Sequence, residues 1–385
     1  YQVVYKNRKI EFSVFEYNNE TEYNSIIRSQ EKRPFDLEKD VLIRFSLLKG
    51  FDTEYKLMII SHHIILDGWS VDILLNDFIY IYEQLENGNE YDELYDTILF
   101  EKEDMVSYGD FVSYVNSIDH DNAKNYWKEL LSDFENETIL PETGSNSNSN
   151  QNGVFELIIE ANLINSIYRY NKDNNVSVST VFESAFGILL HKYLSMDDVV
   201  FGKIVSGRNV TDFSAEKIVG LLINTVPIRV KSEKDTKICD VVNSINNQNI
   251  NSMSYSYEQL SEISSFTILR SKLVNILFAF ENFAGSGDEN DKERLLSNTG
   301  GFSNEIKLEY PLVVSVYPGK NFIIRYSFDL SKYDCDYIKS FAESYIKILN
   351  EMILSISLDT FYSKILRITC AYRNKYSWSV AKWIF

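Results

Sequence analysis

Histidine is scarce in this chain: there are four in 385 residues, and two of them, His62 and His63, are adjacent. The three cysteines, Cys239, Cys335 and Cys370, are far apart and odd in number, which argues against a disulfide framework and suits a reducing, cytoplasmic setting. No C-x-x-C pair or Cys/His ladder is present, so no structural zinc is expected. Long apolar runs are lacking too. The best, Ile276 to Phe280, is stopped by Glu281, so no membrane span is expected. Basic residues are outnumbered, 38 against 56, and the formal net charge of -18 repels a polyanion, so no nucleic-acid partner is expected. There is also no G-x-S-x-G nucleophile elbow.

What is present suffices for a packed core, since 44% of residues are hydrophobic and 14% aromatic. The length fits one large domain or two of ordinary size. Neither a signal peptide nor a methionine opens the chain. Tyr1 to Tyr5 reads as a strand already under way, so the sequence is expected to be a fragment.

The segment Gly144 to Gly153 contains no apolar side chain and reads as a linker between two lobes. An alternating strand, Val154 to Ile159, follows it. Gly285 to Gly301 reads as an exposed loop of the second lobe. Before the linker, the apolar run Tyr55 to Ser61 predicts a strand buried on both faces. Val71, Leu74, Leu75, Phe78, Ile79 and Tyr82 recur at helical spacing and predict a helix from Gly68 to Glu86, stopped by Asn87-Gly88. Ser179 to Leu194 predicts a second helix and Val199 to Val205 a short strand. The tail from Ile365 has no clear period. This alternation points to an α/β architecture in two lobes, 1–150 and 151–385.

The chemistry centres on Ser61-His62-His63-Ile64-Ile65-Leu66-Asp67-Gly68-Trp69-Ser70, where the strand gives way to the helix. Neighbouring side chains on a strand point to opposite faces. His62 and His63 therefore cannot face one cavity unless the strand breaks, and one is expected to support the turn while the other faces the reactants. Asp67 can fix the loop by accepting backbone N–H groups or by pairing with an arginine. Gly68 permits close approach of the backbone to a ligand, and N–H groups at a helix start favour developing negative charge. An imidazole beside such donors suits acyl transfer to an amine or an alcohol. Two bland readings compete: satisfied core histidines, or a metal held by His62, His63 and Asp67. Divergent neighbours and the lack of a third histidine at metal-site spacing disfavour the metal.

The motif resembles the HHxxxDG core of nonribosomal peptide synthetase condensation domains, and later segments resemble further motifs of that family in order. Tyr108-Gly109-Asp110-Phe111 is similar to its YxDF signature and is followed by Tyr126-Trp127. Phe201 to Arg208 resembles the FGxxxSGR strand and turn, and Ile218 to Arg229 resembles (I/V)GxFxNTxPxR. Tyr257-Glu258-Gln259-Leu260 stands where the family has a PFE-like motif. Leu277 to Phe283 and Tyr310-Pro311-Leu312 complete the series. The match runs from Tyr1 to about Leu349. The family's two earliest motifs would lie upstream of Tyr1, and nothing beyond about residue 364 is recognisable.

The resemblance implies two chloramphenicol-acetyltransferase-like lobes forming a V-shaped pseudo-dimer with a central tunnel, the first lobe truncated. It implies an acyltransferase that forms an amide bond between a donor thioester and an acceptor amine. Donor and acceptor peptidyl carrier domains would present both on phosphopantetheine arms, with an adenylation domain adjoining, and the domain itself would bind no cofactor. His63 takes the central role, orienting the amine or taking its proton, with His62, Asp67 and Gly68 in support. Asp67 would be structural and neutralised by an arginine, for which Arg44 is a possible substitute. Asn224 and Thr225 would line the tunnel from the second lobe, while Ser206 and Arg208 would contact substrate or shape a turn. Asp67-Gly68-Trp69-Ser70 resembles domains that join two L-configured partners, and a starter domain loading a fatty acyl group stays open. The alternatives are a related CoA- or carrier-dependent acyltransferase and a catalytically silent carrier-docking module.

Overall fold

The computed structural model describes residues 3, 8–50, 54–103, 106–144, 151–209, 215–233, 236–281, 309–319 and 321–356. Most of the expected opening strand and of the 144–153 linker, the 285–301 loop and the tail from Ile365 lie outside the described residues. Contacts divide the chain into one unit of Tyr1–Val112 with Phe213–Leu222 and another of Ser113–Asp212 with Ile223–Phe385. This division differs from the one expected at the linker. Residues 113–144 cluster with the second unit because Trp127, fully buried, packs there with Val200, Val226 and Leu277.

The first unit runs β1 (Glu11–Glu16), α1 (Glu20–Glu31), β2 (Ile43–Lys49), β3 (Tyr55–Ser61), α2 (Gly68–Glu86), α3 (Tyr91–Glu103) and α4 (Tyr108–Ser117), the last crossing the division. The Asn19 side chain caps α1 by accepting the Glu22 N–H at 2.9 Å, satisfying a donor that the helix leaves open. β1 lies parallel to β2, and β2 antiparallel to β3 with Ile43 opposite Ser61. One face of β2 (Arg44, Ser46 and Leu48) is buried, as period-two alternation requires. The expectation of burial on both faces of β3 is corrected. No residue of β3 is fully buried, because the strand order β1-β2-β3 leaves it at an edge. α2 has the bounds its period predicted. Its stop is also as expected, with Asn87 N–H donating to Glu83 O and Gly88 adopting φ +89°, the left-handed region that favours glycine. Ser70 is its sole buried residue.

The second unit adds α5 (Asp121–Leu131), β4 (Asn152–Ile158), α6 (Ala161–Asn174), α7 (Val178–Leu194), β5 (Asp198–Val205) and β6 (Asn224–Lys231). It continues with α8 (Ile238–Met253), α9 (Leu260–Ser265), β7 (Ile276–Phe280), β8 (Leu312–Tyr317), β9 (Ile323–Asp329) and α10 (Cys335–Ile356). Its six strands form one mixed sheet in the order β4-β9-β8-β7-β5-β6, with β7 parallel to both β5 and β8. α7 starts at a Ser177 cap that accepts the Thr180 N–H, and every residue from Thr180 to Lys192 is buried. A helix apolar all round belongs inside. Phe186 packs edge-on to Phe201 at 5.2 Å and beside Phe278 at 5.1 Å. The buried charge of Glu183 is balanced by Lys203 Nζ at 2.7 Å and Asn249 Nδ2 at 2.7 Å, as a carboxylate without water requires.

Candidate active site

β3 ends at Ser61, ahead of both histidines. The His62 N–H still donates to Leu42 O at 2.9 Å, and then His62 O accepts from the Ile65 N–H at 3.2 Å, closing a tight turn. His62 Nδ1 accepts the Ile64 N–H at 3.1 Å, which places the ring proton on Nε2 and makes this imidazole a brace of the turn. Its ring stands edge-on to Phe35 at 6.4 Å, and the Arg44 guanidinium lies over that same Phe35 ring, 4.3 Å from its centroid. His63 is exposed at the second position of the turn and makes no hydrogen bond among the described residues. The turn therefore separates the two rings without invoking alternate strand faces.

Asp67, 1% exposed, has extended backbone and caps α2. Its Oδ1 accepts both the N–H and the hydroxyl of Ser70 at 2.8 Å, while Oδ2 accepts the Leu222 N–H at 3.0 Å. Three donors suit a carboxylate removed from water. Gly68 follows as the first helical residue and is exposed, between the buried Asp67 and Ser70. Arg44 is not the partner considered for Asp67. Its Nη2 donates to the carbonyls of Gln30, at 2.9 Å, and Arg33, where the negative end of α1 and the residues after it favour a cation.

Segment 215–222, remote in sequence, is seated on this helix start. Trp69 Nε1 donates to Glu216 O at 2.8 Å, and the Ser70 hydroxyl meets Gly220 O at 2.7 Å and the Gly220 N–H at 3.0 Å. Tyr108 closes the other side, its hydroxyl donating to Leu221 O at 3.2 Å. Burial, and secondarily the Asp67 charge, push the Tyr108 hydroxyl pKa up, which keeps it a donor. Ala215, Ile218 and Leu222 pack with Tyr108 and Phe111. Asp110 of the same motif serves the helix instead, its carboxylate accepting the Ser107 N–H at 2.9 Å at the start of α4. Thus three motifs separated in sequence meet in the first unit. Sequence reasoning missed Trp69, Ser70 and Tyr108 as the residues that join them, although all three lie inside quoted motifs.

The remaining candidates sit in the second unit. Ser206 and Arg208 form a turn after β5: the Arg208 N–H approaches Ser206 Oγ at 3.4 Å, and Gly207 has φ +68°. Asn224 opens β6 and commits its amide to the backbone, Nδ2 donating to Ser256 O at 2.8 Å and Glu258 O at 2.6 Å, Oδ1 accepting the Thr225 N–H at 2.8 Å. The side chain therefore anchors the Tyr257-Glu258 segment. Thr225 Cγ2 lies against Gly202, where an added Cβ would meet it at 2.8 Å. Arg229 of the same motif pairs with Asp198 and Asp133 and donates to Leu130 O. The Arg229 hydrogen bond to Asp133, with one from Lys231 adding to it, holds the Asp133 carboxyl well below the usual range. Among the described residues no group of three or more His, Cys, Asp or Glu could hold a metal ion, and no helix is long and apolar enough to cross a membrane.

A family model described as "Condensation domain" matches residues 1–360. Bacitracin synthase 3 of Bacillus licheniformis is 30% identical over 364 residues, covering 91% of this chain and 6% of that protein. Gramicidin S synthase 2 of Brevibacillus brevis is 28% identical over 311 residues, covering 79% of this chain and 7% of that protein. The chain thus spans less than a tenth of the length of these relatives. Among solved structures, a four-domain nonribosomal peptide synthetase bound to AMP and glycine has a TM-score of 0.72 at 16% identity, covering 93% of this chain and 28% of that one. The first condensation domain of the calcium-dependent antibiotic synthetase, in complex with a substrate analogue, has a TM-score of 0.64 at 13% identity, covering 92% of this chain and 80% of that one. These likenesses show the fold, a mixed α/β architecture of the chloramphenicol-acetyltransferase-like kind. With the His62–Ser70 turn, the motifs seated on it and the match over residues 1–360, the chain belongs to the condensation domain family of nonribosomal peptide synthetases, whose members are acyltransferases that form peptide bonds.

Proposed function

We propose that this chain joins two carrier-bound acyl groups, the acceptor's amine attacking the donor's thioester. A C–N bond forms, the C–S bond breaks, the departing sulfur ends as a thiol, and the amine nitrogen loses one proton. No Ser or Cys nucleophile is needed, because a thioester is already activated for aminolysis. Donor and acceptor peptidyl carrier domains supply both groups on phosphopantetheine arms, and a neighbouring adenylation domain loads the acceptor.

The single observation that carries this reading is the placement of His63. It is the exposed imidazole of a turn whose other histidine is locked onto the backbone. It stands four residues before Asp67, the carboxylate that caps α2, and close in sequence to the exposed Gly68. His63 orients the amine or takes its proton, Gly68 keeps the backbone open to the thioester, and Asp67 acts as a structural anchor. Holding both reactants supplies much of the acceleration, on the order of several kcal/mol.

The test uses the full synthetase chain that contains this domain, with acyl-loaded donor and aminoacyl-loaded acceptor carriers, read by mass spectrometry of the intact carriers. The acceptor carrier should gain the donor acyl mass and the donor carrier should lose it. Transfer from CoA alone would favour the related acyltransferase. Carrier binding without transfer would favour a silent docking module. Either result overturns the proposal.

A further inference from the structure

The Ser70 hydroxyl is fully buried and lies between two parts of the first unit that are remote in sequence. On one side is Asp67 Oδ1 at 2.8 Å. On the other are both backbone groups of a single residue, Gly220 O at 2.7 Å and the Gly220 N–H at 3.0 Å. A hydroxyl has one proton to donate and lone pairs to accept. It accepts from the Gly220 N–H while its own proton is shared between the Asp67 carboxylate and the Gly220 carbonyl.

This approach depends on residue 220 being glycine. A Cβ there would meet Tyr108 Cδ2 at 2.2 Å, so the aromatic ring closes on the space that glycine leaves. The Tyr108 hydroxyl then holds the next carbonyl, Leu221 O, at 3.2 Å.

We propose that Ser70 is a positioning residue: it fixes segment 215–222 to the start of α2 through Gly220. The rest rests on the amide-forming reading given above. The helix does not need the hydroxyl, because Asp67 Oδ1 caps the Ser70 backbone N–H at 2.8 Å. The carboxylate does not need it to reach the segment, because Oδ2 holds the Leu222 N–H at 3.0 Å. What the hydroxyl adds is the setting of Gly220, one turn of contacts from Trp69 on Glu216 O and two residues before Leu222. The effect is on how the segment is placed beside the exposed Gly68 end of the helix, and so on how well the reactants are oriented, with no direct part in the chemistry.

The experiment uses the full chain with loaded carriers and compares wild type, Ser70→Ala, Ser70→Thr and Tyr108→Phe. Steady-state transfer is measured against the concentration of each carrier, and thermal midpoints are recorded alongside. Ser70→Ala should lower kcat on the order of tenfold while KM for both carriers stays the same, as loss of one positioning hydrogen bond would. Ser70→Thr, which keeps the hydroxyl, should restore kcat. Tyr108→Phe should lower kcat in the same way, and the double variant should lose less than the sum because both bonds hold one segment. A Ser70→Ala enzyme with wild-type kcat overturns the proposal. So does a loss of kcat that only follows the thermal midpoint and is not restored by threonine. If neither Ser70 variant folds, Tyr108→Phe decides: reduced kcat at constant KM supports the proposal and wild-type kcat overturns it. A wild-type chain that transfers nothing overturns the functional reading and this inference together, a result distinct from an active wild type with an indifferent Ser70→Ala.

Discussion

Asp67 Oδ2 accepts the backbone N–H of Leu222 at 3.0 Å across a separation of 155 residues. The carboxylate thus serves two tasks with two oxygens, capping α2 through Oδ1 and holding a distant loop through Oδ2. Asp67→Asn keeps a single carbonyl oxygen and turns an amide donor toward one of these N–H groups. Leaving a buried donor facing a donor costs about 1–3 kcal/mol. The variant should lose that much stability in urea unfolding, and activity with it. A variant of unchanged stability with a shifted pH–rate profile would assign Asp67 a direct acid–base role.

Asn224 makes a comparable prediction in the second unit. Asn224→Asp replaces the amide that donates to Ser256 O and Glu258 O by an oxygen facing two carbonyls. The cost should reach about 1–3 kcal/mol or more, because the oxygen that replaces Nδ2 has no donor and the new charge keeps only the Thr225 N–H. Chemical denaturation of the variant measures it. An unaffected midpoint would mean that these bonds contribute nothing and that the side chain is free for substrate.

Glu281, at the end of β7, is pushed up by burial from 4.5 to about 7. A carboxyl whose folded pKa is raised contributes stability that is fully present below the unfolded value and lost as pH rises through the folded one. Stability of the wild type should therefore fall between about pH 4.5 and about pH 7 through this group. Glu281→Gln, which cannot ionise, should flatten that part of the curve. Thermal midpoints across the same range show whether the slope persists.

Trp127 fills the centre of the second unit's smaller core beside Val200, Val226 and Leu277, with its Nε1 donating to Tyr255 O at 3.3 Å. Trp127→Ala should cost about 3–5 kcal/mol, a large share of a domain's stability. Equilibrium unfolding decides this, and a loss below about 1 kcal/mol would show the site able to collapse around the smaller side chain.

Local elements were legible in the sequence because their causes are local. The period of α2 and its Asn87-Gly88 stop, the strand Tyr55–Ser61 and the helix ending at Leu194 all appear where they were expected. The half-exposed face of β3 was not legible, since it follows from the edge position of that strand and not from its own apolar run. The histidine pair was found by its rarity and motif, and the strand end at Ser61 falls where the apolar run predicted it, but the tight turn that parts the two rings had no sequence signal. The seat of Gly220 on Ser70 and Tyr108 depends on a pairing across 150 residues, which a single sequence does not encode in any period. Arg44 illustrates the same limit: considered as a possible substitute partner for Asp67, it serves the carbonyls of Gln30 and Arg33.

In the proposed reaction His63 acts on the reactants while His62 holds the turn. The direct measurement is single-turnover transfer between loaded carriers in the full chain, comparing His63→Ala and His62→Ala with thermal midpoints recorded in parallel. His63→Ala should melt like wild type and lose about 10²–10⁴-fold in transfer rate, the usual contribution of a positioned acid–base group. His62→Ala should lower the midpoint, because the Ile64 N–H loses its acceptor. Undiminished transfer by a folded His63→Ala chain would show that this imidazole does not act on the reactants.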